Sequence, residues 1–487
     1  MHPKKFALWF LLAWVVASIP LVMLHGVPGV DTPNHVARLH VLASLEENHS
    51  LWLFYRVHWA LLPNLAVDLF VTPMVYLFNL SALTLMKIFL INMVGVTGLG
   101  FAILNRALTG KWSAYGLFGL LFAYSYVLGF GFINYLFGIG LALLFVGVQL
   151  WLKDFPKWRG AVVAIGFPIL LLNHLLALVL GAMTLLAIAW WQRDRSKGLW
   201  VGFAIGSVLS LVYMKMCTTA PVTAGFRYDR LGQHLRNVFF PLYFSDLVRD
   251  LVFWVVVVGV ALWLMRRSGK KHSLGLALLG GFLALGLVLP HMAMTSAFLS
   301  GRISIWAILV GGAALEEVTI APLVVLGLLG VRTVDLCQRF VGWNTTFDQL
   351  QADLRVIPDK SLVYQMVSMR ANPLDPAGWS PSLIHADCLL LLKESCYINN
   401  LFSMPYQQPL ENAPEIGPDL RDLYNFGTPK TIERSRQWML WQLGLMAPTL
   451  HHRPVYIYFI KSAQETPSPI LGTVLVDRPR YVIYRYK

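Results

Sequence analysis

Long apolar segments with almost no charge recur through the first two thirds of this 487-residue chain. The clear runs cover 6–24, 83–104, 112–129, 131–152, 199–217, 251–266 and 274–291. Helices of about 17–25 apolar residues cross a bilayer, and several of these runs are near the short end of that range. Only 13% of the residues are charged, against about 25% in soluble proteins. The chain is therefore predicted to be an α-helical, polytopic membrane protein.

Two further apolar runs are too long for single spans. Residues 160–192 contain Asn173 and His174, which predict two short helices that meet at this polar pair. Residues 303–337 are predicted to divide in the same way at 315–317. Together with the clear runs, this division predicts about eleven transmembrane helices.

The lysine and arginine residues support this count, because cytoplasmic loops carry an excess of them. With eleven spans, every basic cluster between the spans falls on the cytoplasmic side: Lys4/Lys5, Arg106/Lys111, Lys153/Lys157/Arg159, Arg193/Arg195/Lys197 and Arg266/Arg267/Lys270/Lys271. The N-terminus is then cytoplasmic. The net charge of +14 reflects this topology, and no nucleic-acid partner is predicted.

The segment 61–78 is apolar enough to cross, but counting it as a span would place Arg106 outside. Pro63, Asp68 and Pro73 also argue against a simple lipid-facing helix. We therefore interpret the segment as an interfacial or re-entrant helix.

An odd number of spans places 338–487 outside the membrane, and the transmembrane region is 1–337 with a first outer loop at 25–82. Period-two apolar alternation, typical of half-buried strands, occurs at 454–460, 470–476 and 480–486. The tail is predicted to be a soluble α/β or α+β domain in the periplasm. Cys388 and Cys396 would face an oxidising compartment and could form a disulfide.

The sequence contains no repeat of 20–50 residues, phosphate-binding loop, zinc-like spacing or Gly-x-Ser-x-Gly elbow. This absence disfavours an ATP-driven pump with its motor in the same chain.

The stretch "HGVPGVDTPNHVARLHVL" (25–42) follows the first span and opens the first outer loop. Asp31 precedes Thr32-Pro33, a favourable helix start, and on that helix Asp31, His35 and Arg38 share one arc. In one interpretation Asp31 caps an interfacial helix and the other two are solvated. In the other, the carboxylate accepts a proton from an acceptor hydroxyl or helps to hold a divalent metal near a phosphate.

Several motifs resemble the GT-C superfamily of integral-membrane glycosyltransferases, in particular bacterial members linked to exopolysaccharide or surface-glycan synthesis in the cell envelope. The resemblance is carried by "VDTPNHVARLHVL", "LLPNLAVDLFVTP", "GFGFINYLFGIGLAL" and "NHLLALV" in the membrane half, and by "SPSLIHADCLLL" and "LFSMPYQQPL" in the tail. It covers most of the membrane half.

The resemblance implies transfer of a sugar from a polyprenyl-phosphate donor to a lipid-linked or glycan acceptor on the outer face of the bacterial inner membrane. In members of that superfamily, an acidic residue in the first outer loop acts as the base or as a metal partner, and the resemblance assigns this role to Asp31. His35 would then orient the carboxylate or contact the donor phosphate. Mg²⁺ or Mn²⁺ could then bind at Asp31. The chain lacks an Asp-Glu or Asp-x-Asp pair there, so the resemblance does not carry a metal requirement with it.

A lipid-phosphate donor requires cations on the outer side, because an anionic leaving group gains charge-assisted hydrogen bonds from them. Candidates are Arg38, Arg302 and, in the outer loop 224–250, Arg227, Arg230, His234 and Arg236. Arg227 and Arg230 are spaced to share a helix face, as are Arg230 and His234. The loop could equally bind anionic headgroups. A lone Arg302 at a membrane edge is costly without a partner.

Three polar residues in the membrane half stay open between two roles. Asn134 and His174 could line an acceptor pocket or form interhelical hydrogen bonds. Asp68 could be a second acidic site residue or a polar contact between helices.

The alternative function is a non-catalytic transporter or assembly component of a polysaccharide export system, and a polymerase or ligase of lipid-linked glycans is a third possibility. Transporters carry ionisable residues at mid-membrane and often show repeated spans. Here the spans are nearly free of such charges, which favours chemistry at the membrane surface.

Overall fold

The structure is a computed structural model. The structure describes residues 1–217, 225–228, 230–293, 298–316, 318–371, 383–403, 408–417 and 431–486. The α-helices are α1 Pro3–Met23, α2 Thr32–Ser44, α3 Ala66–Phe78, α4 Ala82–Thr109, α5 Tyr126–Phe130, α6 Ile133–Trp151, α7 Pro156–Asn173, α8 Leu175–Trp191, α9 Lys197–Met216, α10 Leu231–Phe239, α11 Leu247–Ser268, α12 Ser273–Val288, α13 Leu299–Ala313, α14 Pro322–Asp353 and α15 Ile432–Leu445.

The strands are β1 Tyr55–Val57, β2 Phe226–Arg227, β3 Met292–Ala293, β4 Leu362–Val367, β5 Tyr397–Ile398, β6 Leu410–Asn412, β7 Val455–Ile460, β8 Thr473–Asp477 and β9 Tyr481–Arg485. The 3₁₀ helices include Ala114–Phe122 and Ala386–Leu392. The chain forms two compact units.

The first unit contains Met1–Met23, Leu61–Val67 and Ile88–Gln338. Among the described residues, five helices are long and apolar enough to cross a membrane: α1, α4, α6 (with the turn that follows it), α9 and α11. Five shorter apolar helical segments accompany them: α3, α8, α12, α13 and Ala114–Phe130. Glycines let these helices approach closely. A side chain at Gly140 of α6 would lie 2.9 Å from the backbone nitrogen of Thr97 in α4.

The predicted break at the Asn173-His174 pair is confirmed: α7 ends at Asn173, and α8 begins at Leu175. His174 adopts an extended conformation, and its Nδ1 accepts the Leu176 amide at 3.1 Å. A polar residue that can satisfy a free helix-start amide explains why the apolar run divides at this point.

The run 112–129 differs from the prediction of one continuous span. It forms the 3₁₀ helix Ala114–Phe122 and the short helix α5, separated by an extended Ser125. Gly116 and Gly119 pack against α4, and a side chain at Gly119 would lie 2.5 Å from the Cβ of Phe101. The apolar pattern was correct, but close packing against α4 holds a tighter, interrupted backbone in place of an α-helix.

The segment 61–78 forms α3 only over its last 13 residues. A helix of that length reaches about 20 Å at 1.5 Å per residue, whereas the hydrocarbon core is about 30 Å thick. Its exposed side chains, including Phe70, Tyr76 and Leu77, are apolar. These features agree with the interfacial or re-entrant interpretation.

The second unit contains Leu24–Ala60, Asp68–Lys87 and Arg339–Lys487. Its centre is a five-stranded sheet of order β5-β4-β7-β9-β8. Strand β4 pairs in parallel with β5 and β7, whereas β9 is antiparallel to β7 and β8. Strands β4 and β7 are buried along their whole length, which explains their continuous apolar and aromatic sequences.

The same unit joins the first outer loop to the C-terminal region. Strand β1 pairs antiparallel with β6, and Tyr55 is opposite Asn412. The Tyr55 hydroxyl donates to the Cys396 carbonyl at 3.1 Å and accepts the Ile398 amide at 3.0 Å. The sequence had treated the loop and the tail as separate parts.

The suggested disulfide between Cys388 and Cys396 is absent from the described residues, where both cysteines are buried free thiols. The Cys388 thiol donates to Asn400 Oδ1 at 3.3 Å, and the Cys396 thiol lies 3.5 Å from the Pro358 carbonyl. Each thiol thus has its own polar neighbour and behaves as a small core residue.

Candidate active site

Helix α2 begins as predicted, with Asp31 at the N-cap position and Pro33 in the first turn. The Asp31 side chain makes no capping hydrogen bond to the described amides of α2, so the predicted cap is wrong. The helix is also not an exposed interfacial helix, because Val36, Leu39 and most of its other side chains are buried within the second unit. Burial of a helix with this many polar residues requires polar partners.

The Asp31 carboxylate lies beside a histidine from the C-terminal region. Asp31 Oδ1 and His385 Nε2 are 3.6 Å apart, and both side chains are largely buried. His385 immediately precedes the 3₁₀ helix Ala386–Leu392, which packs against α2. The sequence had singled out Asp31 but gave no signal for His385, which contacts the loop only in the folded unit.

Arg38 forms a buried ion pair with Asp68. Arg38 Nε and Nη2 donate to the two carboxylate oxygens of Asp68, each at 2.9 Å, and neither side chain is exposed. This bidentate geometry is the strong form of such a pair. It favours the polar-contact interpretation of Asp68 and neutralises the charge that had suggested phosphate binding by Arg38.

His35 lies one turn after Asp31, as predicted, and its ring packs edge-on against Phe402 with centroids 5.4 Å apart. Burial, together with the nearby Arg38 and His385, lowers the pKa of His35 well below its usual value. The imidazole is therefore neutral near pH 7. Its Nδ1 is buried and has no hydrogen-bond partner within the described part of the chain, and the same holds for Nη1 of Arg38.

Asn34 connects α2 to the C-terminal region and was missed by the sequence analysis. Its Nδ2 donates to the Asn400 carbonyl at 2.6 Å and contacts His385 Nδ1 at 3.1 Å, while its Oδ1 accepts the Phe402 amide at 2.6 Å. The Asn400 side chain in turn donates to Asp387 Oδ1 at 3.2 Å. Burial raises the pKa of Asp387 to about 7, although this hydrogen bond opposes the shift.

In the first unit, Arg302 and His174 lie together as two nitrogen donors. Arg302 Nη1 is 3.2 Å from His174 Nε2. Because His174 Nδ1 accepts the fixed amide of Leu176, Nε2 carries the proton in the neutral ring. Two N–H groups therefore lie side by side, and an anionic oxygen beside the pair could accept a hydrogen bond from each.

Aromatic side chains hold this pair in place. The Arg302 guanidinium lies over the ring of Phe132, 3.8 Å from its centroid, and the Tyr135 hydroxyl donates to the Arg302 carbonyl at 2.6 Å. The rings of Tyr135 and His174 pack edge-on at 5.2 Å. Arg302 and His174 were candidates for separate roles in the sequence, which did not predict that they meet.

Asn134 uses both ends of its amide within the first unit. Its Oδ1 accepts the Val67 amide at 3.1 Å, and its Nδ2 donates to the Asn64 carbonyl at 2.7 Å. These bonds fasten the first turn of α3 and the residues just before it to α6. They favour the structural interpretation of Asn134 over a place in an acceptor pocket.

The basic residues of the outer loop do not share one helix face as predicted. Arg227 lies in β2, which pairs with β3, whereas Arg230 is the N-cap residue of α10. Both are exposed. His234 lies one turn after Arg230 but is buried, and its Nε2 is 3.0 Å from the Leu287 carbonyl. The helix begins after Arg227, so the spacing argument applies only to Arg230 and His234.

The residues around Asp31 do not form an evident metal site. Among the described residues, no group of three or more His, Cys, Asp or Glu side chains could hold a metal ion. Asp68 is paired with Arg38 and is not available to a metal ion beside Asp31. We therefore assign no step to Mg²⁺ or Mn²⁺.

The apolar helices, the divided spans and the small C-terminal sheet define an α-helical, multi-pass membrane protein with a GT-C-like fold. The solved structure of ArnT from Cupriavidus metallidurans bound to undecaprenyl phosphate has this fold, and 99% of our chain matches 98% of it with a TM-score of 0.51. The two sequences are 13% identical, so the likeness establishes the fold alone. No protein-family model matches the chain, and no curated protein sequence matches it.

Proposed function

We propose that this protein is a membrane glycosyltransferase that moves a sugar from a polyprenyl-phosphate donor to a lipid-linked or glycan acceptor. The reaction takes place on the outer, periplasmic face of the bacterial inner membrane and serves the synthesis of surface glycans. The similar fold of ArnT, which was solved with undecaprenyl phosphate bound, supports a lipid phosphate as ligand.

The observation that carries the proposal is the pair of N–H donors on Arg302 and His174, 3.2 Å apart. A phosphate oxygen can accept from both at once, and the guanidinium supplies the positive charge that a phosphate leaving group requires. As the bond between the sugar and the phosphate breaks, charge accumulates on the phosphate oxygens. Donors that are already oriented stabilise that charge without rearrangement.

Asp31 is proposed as the general base. Its carboxylate accepts the proton of the acceptor hydroxyl while the hydroxyl oxygen forms a bond to the anomeric carbon and the polyprenyl phosphate departs. Loss of a general base lowers turnover by roughly 10²–10⁴-fold. His35 is neutral and donates at most one hydrogen bond, so we assign it the lesser role of contacting the donor phosphate or orienting the carboxylate.

The phosphate site can be tested by binding. Purified protein in nanodiscs should bind undecaprenyl phosphate more tightly than undecaprenol, which lacks the phosphate. Arg302→Ala should remove about tenfold or more of this preference, the scale of a hydrogen bond to a charged group. Arg302→Lys should retain part of it, because an ammonium cannot reproduce the planar fork. Arg267→Ala, which removes an exposed arginine of α11, is the charge-matched control and should change nothing.

His174 requires a variant that keeps its capping role. His174→Asn retains an acceptor for the Leu176 amide but removes the Nε2 donor, so it should keep the fold and lose phosphate preference. If Arg302→Ala and His174→Asn both bind the two lipids as the wild type does, the anion site assigned to this pair is wrong.

The transfer reaction is tested with a panel of radiolabelled polyprenyl-phosphate sugars and a bacterial lipid extract as acceptor. Asp31→Asn should preserve expression and melting temperature but lower transfer by about a hundredfold or more. His35→Ala should be milder. Transfer by Asp31→Asn at the wild-type rate would remove Asp31 from the mechanism. Wild-type protein that moves an intact lipid-linked glycan without forming a glycosidic bond would instead support the transporter function.

A further inference from the structure

His385 adopts an unusual backbone conformation beside the Asp31 carboxylate. Its φ is +61°, in the left-handed region that residues other than glycine seldom occupy and that is strained when they do. The ring is buried and packs edge-on against Phe402, with centroids 5.3 Å apart. A strained backbone that points a buried imidazole at a carboxylate calls for a reason beyond packing.

The hydrogen bonds of Asn34 determine which ring nitrogen carries the proton. The Phe402 amide can only donate a hydrogen bond, so the side-chain oxygen of Asn34 must face it. The Asn400 carbonyl can only accept, so the side-chain nitrogen of Asn34 must face this carbonyl. The amide orientation is thereby fixed. The second N–H of Asn34 is then available to His385 Nδ1, which lies 3.1 Å from the Asn34 nitrogen, and Nδ1 accepts it in the tautomer that carries its proton on Nε2.

With Nδ1 as an acceptor, the neutral ring carries its proton on Nε2, the nitrogen 3.6 Å from Asp31 Oδ1. Burial lowers the pKa of His385 to about 4, although the Asn400 carbonyl opposes the shift. The ring is therefore neutral near pH 7. Nε2 lies 3.6 Å from the carboxylate oxygen, which is longer than a hydrogen bond, and catalytic contacts of this kind often tighten when substrate binds.

We propose that His385 is a positioning residue for the general base Asp31, and that Asn34 sets its tautomer. The inference rests on the function proposed above and deepens it. The Nε2–H of His385 orients the Asp31 carboxylate, which accepts the proton of the acceptor hydroxyl. A neutral partner performs this task without drawing the proton to itself, because His385 has no free basic nitrogen facing Asp31.

This arrangement gives the C-terminal region a direct part in the reaction. The tail supplies His385, Asn400 and Phe402, and the first outer loop supplies Asp31 and Asn34, all within the second unit. Without the tail, Asp31 would keep its charge but lose its contact with His385.

Two substitutions separate the donor from the ring. His385→Phe keeps an aromatic ring against Phe402 and removes the N–H, so kcat should fall about 10- to 100-fold, the scale of a hydrogen bond to a charged group, with the donor KM nearly unchanged. His385→Gln offers an amide N–H at a similar reach and should recover most of the loss. His40→Gln, in α2, is the matched control and should leave kcat unchanged.

A double-variant cycle distinguishes positioning from a general structural role. If His385 acts through the charged carboxylate, His385→Phe should lower kcat much less in an Asp31→Asn background than in the wild type. An equal loss in both backgrounds, or a His385→Gln variant as slow as His385→Phe, would overturn the proposal.

A measurement without turnover separates this inference from the proposed function. In protein labelled with ¹⁵N-histidine, the resonances that disappear in His385→Gln should show protonated Nε2 at pH 7 and should shift in Asp31→Asn. A proton on Nδ1, or no response to Asp31→Asn, overturns the inference whatever the enzyme does. If the tautomer and the shift are as expected but no donor supports sugar transfer, the proposed function fails and the positioning role fails with it, while the pairing of the two side chains stands.

Discussion

The buried pair of Arg38 and Asp68 offers a test of whether this arginine serves the fold or the donor phosphate. In Arg38→Met, the Asp68 carboxylate loses both of its 2.9 Å donors and remains fully buried. Removing one partner of a buried ion pair costs about 3–5 kcal/mol, because the other charge is left uncompensated. For a unit in the size class of 150–250 residues, 1 kcal/mol corresponds to about 2–4 °C. The melting temperature should therefore fall by about 6–20 °C.

Replacing both partners should be much less harmful than replacing one. Arg38→Met/Asp68→Leu leaves no buried charge, and apolar replacements of buried ion pairs are often neutral or stabilising. Unfolding can be followed with a thiol-reactive dye during a thermal ramp, because Cys388 and Cys396 are buried free thiols in the same unit.

The opposite pattern would refute this reasoning. If the free energy of unfolding of Arg38→Met lies within about 1 kcal/mol of the wild-type value, the ion pair does not stabilise the unit. If the same variant also loses its preference for undecaprenyl phosphate over undecaprenol, Arg38 belongs to the phosphate site that the sequence first suggested.

Three further predictions follow from individual residues. Burial raises the pKa of Asp387 from 3.8 to about 7. Between about pH 4 and pH 7 the carboxyl therefore keeps its proton only in the folded state, so the free energy of unfolding should fall as the pH rises through this range. Asp387→Asn should lack this pH dependence when its melting temperature is measured across the same range. Asn134→Leu removes the hydrogen bonds to Val67 and Asn64, so it should lower the melting temperature by a few degrees and leave transfer kinetics within about twofold of wild type. A large rise in the acceptor KM would instead indicate that Asn134 lines an acceptor pocket. In sealed cells, a membrane-impermeant maleimide should label Arg230→Cys but not Lys270→Cys, and the reverse labelling would invert the topology.

The sequence predicted those features that depend on neighbouring residues. The division at Asn173 and His174 was visible because a polar pair interrupts an apolar run, and the start of α2 was visible because Asp31 precedes a Thr-Pro pair. The backbone of the run 112–129 could not be predicted from neighbouring residues. Its composition suits a membrane helix, but its backbone is set by the packing of Gly116 and Gly119 against α4, which no local pattern reveals.

Contacts between distant parts of the chain account for what the sequence did not predict at the site. Arg38 and Asp68 were both noted, but nothing in a single sequence shows that residues 30 positions apart form an ion pair. Arg302 and His174 are 128 positions apart and were assigned different roles for the same reason. His385 was overlooked because its importance comes only from Asn34 and Asp31, far away in the chain.

The separation between Asn34 and His385, 351 positions in the chain, also fixes when this part of the protein can mature. At a translation rate of 5–20 residues per second, the ribosome needs roughly 20–70 s to reach His385 after Asn34 has been made. During that interval the first outer loop has neither the Asn400 carbonyl nor the Phe402 amide to satisfy its asparagine. The first outer loop therefore completes these contacts only after synthesis is nearly finished, and in a nascent chain that stops short of residue 400 Asn34 lacks its partners in the C-terminal region.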